Sequence, residues 1–172
     1  KKYVDLLDDN IAIFCDSTRD AIKGSVFEAE EPGFVNGEDG LEEDVMSSVY
    51  AWCDGGHSDF RPKTPSQIIS YVSAHDNYTL WDKLAITLQD EVDYGTKDEK
   101  VLAVNKLVAG IVLTCKGTPF FQAGEEFGRT KYGDDNSYIS SADINKLDWQ
   151  RSYEYKELVE YYKGLIGLRQ NF

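Results

Sequence analysis

The stretch Ile68-Ile69-Ser70-Tyr71-Val72-Ser73-Ala74-His75-Asp76-Asn77 constrains this chain more than any other. Its first five residues form an apolar run with the β-branched and aromatic bias of a buried strand. The run then breaks into hydroxyl, imidazole, carboxylate and amide side chains, and a helical pattern starts at Thr79. In parallel α/β folds, ligands and chemistry collect where strands end in this way, at their C-termini.

Two similar runs flank it. Ile11 to Cys15 is a compact apolar segment bounded by Asn10 and Asp16, and Thr118 to Gln122 is a short strand with its proline near the start. Asp16 to Gly24 reads as a strand-end loop and short turn after a lead-in from Lys2 to Asp9. Glu28 to Gly40, with Pro32 and several glycines, reads as an irregular surface loop. Leu41 to Trp52 is expected to be a helix with Leu41, Val45, Val49 and Trp52 on one face, ended by Gly55-Gly56. Phe60 to Ser66 is a connector. Helical spacing recurs over Thr79 to Leu88 and over Lys100 to Cys115, where Val101, Val104, Leu107, Val108, Ile111 and Val112 form the stripe and Gly117 is placed as the stop. Arg129 to Asp148 is a long polar loop, of a length that is often functional. A last helix, capped by Ser152 or a neighbour, runs through Arg169 with Tyr155, Leu158, Val159, Tyr162 and Ile166 at helical steps. Strands alternating with helices imply right-handed βαβ units on a parallel sheet.

Composition narrows the function. With 172 residues and 41% hydrophobic content the chain is globular, and it suits one domain or part of a larger one. A formal net charge of −13 argues against nucleic acid and anionic membranes, since the sequence shows no basic patch to neutralise phosphates. Neutral sugars remain compatible. Aromatic residues make up 13% of the chain, which would suit carbohydrate stacking, although core packing is the plainer use of any one ring. Cys15, Cys53 and Cys115 lack metal-ligand spacing and imply no disulfide framework; Cys15 and Cys115 read as buried thiols. No apolar run is long enough to span a bilayer, and no signal-peptide pattern is present. The compartment is left open, because Lys1-Lys2-Tyr3 does not look like a natural start and the chain reads as a fragment.

Several of these stretches also carry a resemblance. Ser73-Ala74-His75-Asp76-Asn77 resembles the fourth signature region of the alpha-amylase superfamily, at the end of its seventh barrel strand. The longer run through Tyr78-Thr79-Leu80-Trp81-Asp82-Lys83-Leu84 resembles type I pullulanases, the starch-debranching enzymes, more closely than amylases or isoamylases. Arg19-Asp20-Ala21-Ile22-Lys23-Gly24 is similar to the family's strand-six segment. Gly124 to Lys131, continuing through Asp134-Asp135-Asn136-Ser137-Tyr138, resembles its loop after strand eight. The fold class implied is α/β: the C-terminal portion, about strands six to eight with their helices, of a TIM (β/α)₈ barrel, with residues 1–172 forming one partial catalytic domain. The parent would hydrolyse α-1,6 branch linkages in pullulan, amylopectin or glycogen-type α-glucans with retention of configuration, without a cofactor. Isoamylase and branching enzyme are alternatives inside the superfamily. A non-catalytic glucan-binding or scaffold segment is the alternative from another class.

The chemistry falls on a few side chains. Asp76, at the strand end beside His75 and Asn77, is the strongest candidate, since a fixed carboxylate there stabilises an oxocarbenium-like transition state. By resemblance Asp76 is the catalytic transition-state stabiliser and His75 the substrate-binding histidine at the cleavage site. The resemblance likewise maps Arg129 and Asp134 to groups that bind the non-reducing side of the substrate, with a surface-loop salt bridge as the competing reading. Asp16 or Arg19 either lines the cleft or forms an ion pair bracing its loop, the second being favoured. Glu125 and Glu126 are not expected to be a catalytic pair, because adjacent carboxylates on a strand-end turn point apart; in the family this pair braces the site. Leu147-Asp148-Trp149 fits the family too and is taken as structural. No metal is expected, since no acidic cluster has calcium-loop spacing. The nucleophile and general acid of the family would lie before Lys1, so the isolated chain is expected to be inactive. Its open strand edges are expected to drive self-association or pairing with missing barrel segments.

Overall fold

Three short strands, β1 (Ile13–Phe14), β2 (Ile68–Ser70) and β3 (Thr118–Pro119), lie side by side in chain order and all run parallel. Ile13 pairs with Ile68 and Ser70 with Pro119. The computed structural model describes residues 3–55 and 60–171. Each strand is shorter than its apolar run, because ladder pairing stops once the chain turns toward the strand-end loops. The hydrogen bonds continue one step further, from Cys15 N to Ile69 O (3.0 Å) and from Phe120 N to Ser70 O (2.9 Å).

Helices fill every crossover. Between β1 and β2 lie α1 (Asp16–Lys23) and α2 (Glu42–Val49); between β2 and β3 lie α3 (Leu80–Leu88) and α4 (Glu99–Thr114). After β3 come α5 (Ala142–Asn145), α6 (Trp149–Glu154) and α7 (Lys156–Asn171). The expected loop after β1 is therefore a two-turn helix. Its end is packed tightly against the following loop: a Cβ on Gly24, whose φ is +89°, would lie 2.1 Å from Glu31 O. Only glycine fits there. The lead-in holds a 3₁₀ turn at Val4–Leu6 with Val4 buried. Lys2 at its start, and Gly56 of the expected Gly55-Gly56 stop, lie outside the described residues.

Capping sets the helix starts. Thr79 Oγ1 accepts from Asp82 N (3.1 Å), and Asp98 Oδ1 accepts from Lys100 N (2.8 Å) and Val101 N (2.9 Å). The last helical pattern divides in two at the buried Tyr155, and its cap is Asp148, which accepts from Gln150 N at 3.0 Å. Ser152 instead donates back to Trp149 O (2.7 Å). Gly117 is not a left-handed helix stop. Helix α4 ends at Cys115 in extended backbone, and Gly117 is needed because a Cβ there would sit 2.7 Å from Ile68 O.

The main core gathers Ile22, Val72, Trp81, Leu84, Val108, Val112, Phe127, Leu158 and Tyr162. A smaller cluster joins Val4, Cys15, Ala51, Trp52, Phe60 and Ile68 on the β1 side. Two expected faces are displaced. Helix α2 stops at Val49, and Ala51 and Trp52 take positive φ, so Trp52 leaves the helix line and donates to Thr18 Oγ1 at 2.9 Å; the helix buries Ser47 and Ser48 instead. On α4 the stripe is rotated toward Leu102, Asn105 and Ala109, leaving Leu107 47% exposed. Cys15 and Cys115 are buried and Cys53 is exposed. No helix among the described residues is long and apolar enough to cross a membrane.

Candidate functional site

Because the strands are parallel, their C-terminal ends face one way, and the segments after them meet there. After β1, Arg19 on α1 donates to Tyr71 OH (3.0 Å) beyond β2, and Tyr71 donates to Asp16 Oδ1 (2.7 Å). Arg19 also pairs with Asp20 (2.6 Å) and Asp16 (3.3 Å). Burial, reinforced by the hydrogen bond to Asp16, pushes the Tyr71 phenol up to about 12, so it stays a donor at neutral pH. The ion-pair bracing expected of Asp16 and Arg19 is present, and the two reach the cleft-side tyrosine as well.

After β2 the chain passes through Ser73 to His75 and Asp76, whose side chains are 90% and 76% exposed and 3.3 Å apart (Nε2 to Oδ1). Asn77 follows with φ +60°, turning the chain into the Thr79 cap of α3. The left-handed conformation suits asparagine better than most residues. After β3, the Gly124 turn carries Glu125 and Glu126 apart. Glu125 is buried; it accepts from Ser73 Oγ (2.5 Å) and Tyr162 OH (3.0 Å), while Glu126 Oε2 accepts from Gly124 N (2.8 Å). Burial pushes the Glu125 carboxyl up to about 7 against the pull of those two donors. Glu125 thus ties the β3 turn to the segment that presents His75 and Asp76.

Arg129 and Asp134 bond to neighbouring backbone and loop groups, while Arg129 Nε is buried with no hydrogen-bond partner among the described residues. The Arg129 guanidinium donates to Ala123 O (3.2 Å) and Asn145 O (2.6 Å). Asp134 accepts from Ser140 Oγ and from Asn136 N (2.9 Å), and these bonds hold its pKa down. Between them stands Lys131, 2% exposed, whose Nζ donates to His75 O at 2.7 Å. Asp76, Asp134, Asp82 and Arg129 all act electrostatically on that ammonium, while burial is the largest effect lowering its pKa. Asp82, fully buried on α3, accepts from Lys131 N (2.8 Å) and Thr130 Oγ1. Reading the sequence missed the roles of Lys131 and Asp82. Both lie in stretches that carry the family resemblance, but an aspartate in the first turn of α3 is already explained by helix capping and Lys131 reads as one more loop cation.

A cavity of about 90 Å³ lies beside Asp76, lined among others by Arg19, Lys23, Ser73, Asn77 and Tyr78. Lys23 is fully buried, its Nζ makes no hydrogen bond among the described residues, and burial, then Lys83 and Arg19, push it down to about 7. Among the described residues no group of three His, Cys, Asp or Glu could hold a metal ion.

No protein-family model matches the chain. A curated relative, the pullulanase of Bacillus subtilis strain 168, is 40% identical over 162 residues, covering 93% of this chain and 22% of the relative. The chain is a pullulanase homologue, from the alpha-amylase superfamily of glycoside hydrolases. The solved apo pullulanase of Paenibacillus barengoltzii matches with a TM-score of 0.83 at 41% identity, over 93% of this chain and 24% of that one. A type I pullulanase structure from Bacillus subtilis, complexed with maltose, matches with a TM-score of 0.82 at 39% identity, over 92% and 22%. The chain spans about a fifth or less of the length of the curated pullulanases it matches first. The α/β architecture with a small parallel sheet accords with the alpha-amylase fold of these pullulanase structures.

Proposed function

We propose that this chain is the strand-six-to-eight portion of the (β/α)₈ barrel of a longer pullulanase, which hydrolyses α-1,6 linkages in α-glucans with retention of configuration. The observation that carries this reading is the His75–Asp76 pair, exposed at the C-terminal end of the central parallel strand in a pullulanase homologue. Asp76 is the carboxylate that stabilises positive charge as the glycosidic bond breaks, and His75 contacts a hydroxyl of the sugar at the cleavage site. Arg129 and Asp134 serve the non-reducing side of the substrate. Their hydrogen bonds to the turn at Ala123 and within the 129–145 loop support a role in shaping the glucan-facing wall more than direct donation to sugar.

Retaining hydrolysis needs a nucleophile and a general acid about 5–5.5 Å apart. In this reading both lie in barrel strands outside the chain, which alone does not turn over substrate. Reducing-sugar release from pullulan tests this, comparing the chain with a form extended upstream through the remaining strands. Activity confined to the extended form is the expected result; activity in the short chain overturns the assignment of the carboxylates.

A glucan-binding segment without catalysis is the second reading, favoured by the exposed Tyr132 (57%) and Tyr138 (83%) on the long loop. It predicts α-glucan binding with no turnover in either form.

A further inference from the structure

We propose that Lys131 is a positioning residue for the His75–Asp76 pair, and that Asp82 holds Lys131 in place. The inference rests on the reading of Asp76 as the charge-stabilising carboxylate and adds to it the means by which that carboxylate is held. The His75 and Asp76 side chains are largely exposed, so packing around them does little to fix where they point. Their position depends on the backbone that carries them.

That backbone is held from across the site. Lys131 Nζ meets the His75 carbonyl at 2.7 Å, and with Lys131 only 2% exposed its ammonium has little access to water. A charged donor in such a place forms a stronger hydrogen bond than a neutral one and is costly to leave without an acceptor. Lys131 is in turn fixed by Asp82: one carboxylate oxygen takes Thr130 Oγ1, the other takes Lys131 N (2.8 Å) and Gly133 N (3.4 Å). Tyr132, with φ +55°, donates its N–H to Thr130 Oγ1 (2.8 Å) and completes the tight loop. Asp82 lies in the first turn of α3, whose cap Thr79 follows Asp76 by three residues. The path from Asp76 through α3 to Asp82, across to Lys131 and back to His75 is a closed circuit. It has no free end at which the Asp76 backbone could drift, and a carboxylate held within a fraction of an ångström keeps its effect on the transition state.

Lys131 touches backbone and not the reacting atoms, so its loss should act on turnover more than on binding. In the full-length parent, Lys131→Met is expected to lower kcat on pullulan about 10- to 100-fold, a scale set by misplacement of a reacting group. KM is expected to change by less than about 3-fold, because the displaced segment carries a single sugar contact, that of His75. Lys131→Arg, which can still donate to the His75 carbonyl, is expected to recover most of kcat. Thermal midpoints of both variants are recorded alongside, and Lys131→Leu, which likewise lacks a donor, replaces the Met variant with the same expectations if that one does not fold. Asp76→Asn is assayed in parallel. Loss of turnover in Asp76→Asn with normal kcat in Lys131→Met removes this inference and leaves the proposed function standing. A Lys131→Arg variant no better than the Met variant at equal thermal midpoint also removes it. Normal turnover in Asp76→Asn removes both.

Discussion

Ser73 donates to the buried carboxylate of Glu125 at 2.5 Å, joining the segment after the central strand to the turn after its neighbour. Tyr162 of α7 donates to the other oxygen of the same carboxylate. One side chain therefore gathers two strand ends and the last helix beneath the site. The arrangement leaves Glu125 short of solvent, and this is why its carboxyl binds a proton up to about pH 7.

A pH dependence of stability follows with a definite sign. Glu125 titrates at about 7 when folded, against an ordinary value of 4.5, so the folded state holds the proton more tightly. Its contribution is complete below pH 4.5 and is lost as the pH rises through 7. At about 1.4 kcal/mol per pKa unit the loss is on the order of 3 kcal/mol. Thermal midpoints should fall across that window, and Glu125→Gln should flatten the fall. An unchanged slope in the Gln variant would place the pH dependence elsewhere.

Lys23 has the opposite sign. Its folded pKa of about 7 lies below the ordinary 10.5, so the unfolded state binds the proton more tightly between those values. Protonating the buried amine costs stability below pH 7, and that cost is relieved as the pH rises from 7 toward 10.5. Lys23→Met should stabilise the chain at and below neutral pH and remove the alkaline gain. Chemical denaturation at pH 6 and pH 9 reads both, and a Met variant weaker than the wild type at pH 6 would show that the amine has an acceptor.

Asp76→Ala in the intact parent should reduce turnover of pullulan by at least roughly 10²–10³-fold, the cost of losing one electrostatic stabiliser of the transition state. Near-normal turnover would take Asp76 out of the mechanism.

The rings of Phe14, Tyr71 and Phe120 meet edge to face at 5.1 to 6.4 Å, and Phe14 and Phe120 remain 46% and 36% exposed. An apolar patch on short strands with open outer edges favours pairing with another chain. Sedimentation velocity of the isolated chain is expected to show association that grows with concentration and weakens in Phe14→Asp. A single monomeric boundary throughout would count against it.

Much of this was legible in the sequence. Apolar runs flanked by helical spacing located all three strands, and the polar break at Ser73 to Asn77 marked the strand end where His75 and Asp76 stand. Glu125 and Glu126 diverge as adjacent residues on a tight turn must. What was not legible depends on contacts between distant residues. Helix α1 looks like a loop because Asp16, Ser17 and Thr18 open it, and its packing against α2 is a tertiary fact. Leu107 fits the apolar period of α4 yet faces solvent, since the neighbours of a helix and not its period choose the buried stripe. The two Nη groups of Arg129 donate to carbonyls, which no pattern of side chains reveals. Lys131 looks like one more surface cation until Asp82, 49 residues earlier, is seen to hold its backbone.

Arg169 on α7 donates to Leu113 O (3.0 Å), Cys115 O (2.6 Å) and Gly117 O (2.5 Å), closing the end of α4 and the lead into β3. The three carbonyls precede their donor by 52 to 56 residues. During synthesis the β3 segment leaves the ribosome long before the guanidinium that secures its first turn. The order of manufacture and the order of locking are therefore different, and the third strand is finally set by a side chain made 52 residues after the last carbonyl it holds.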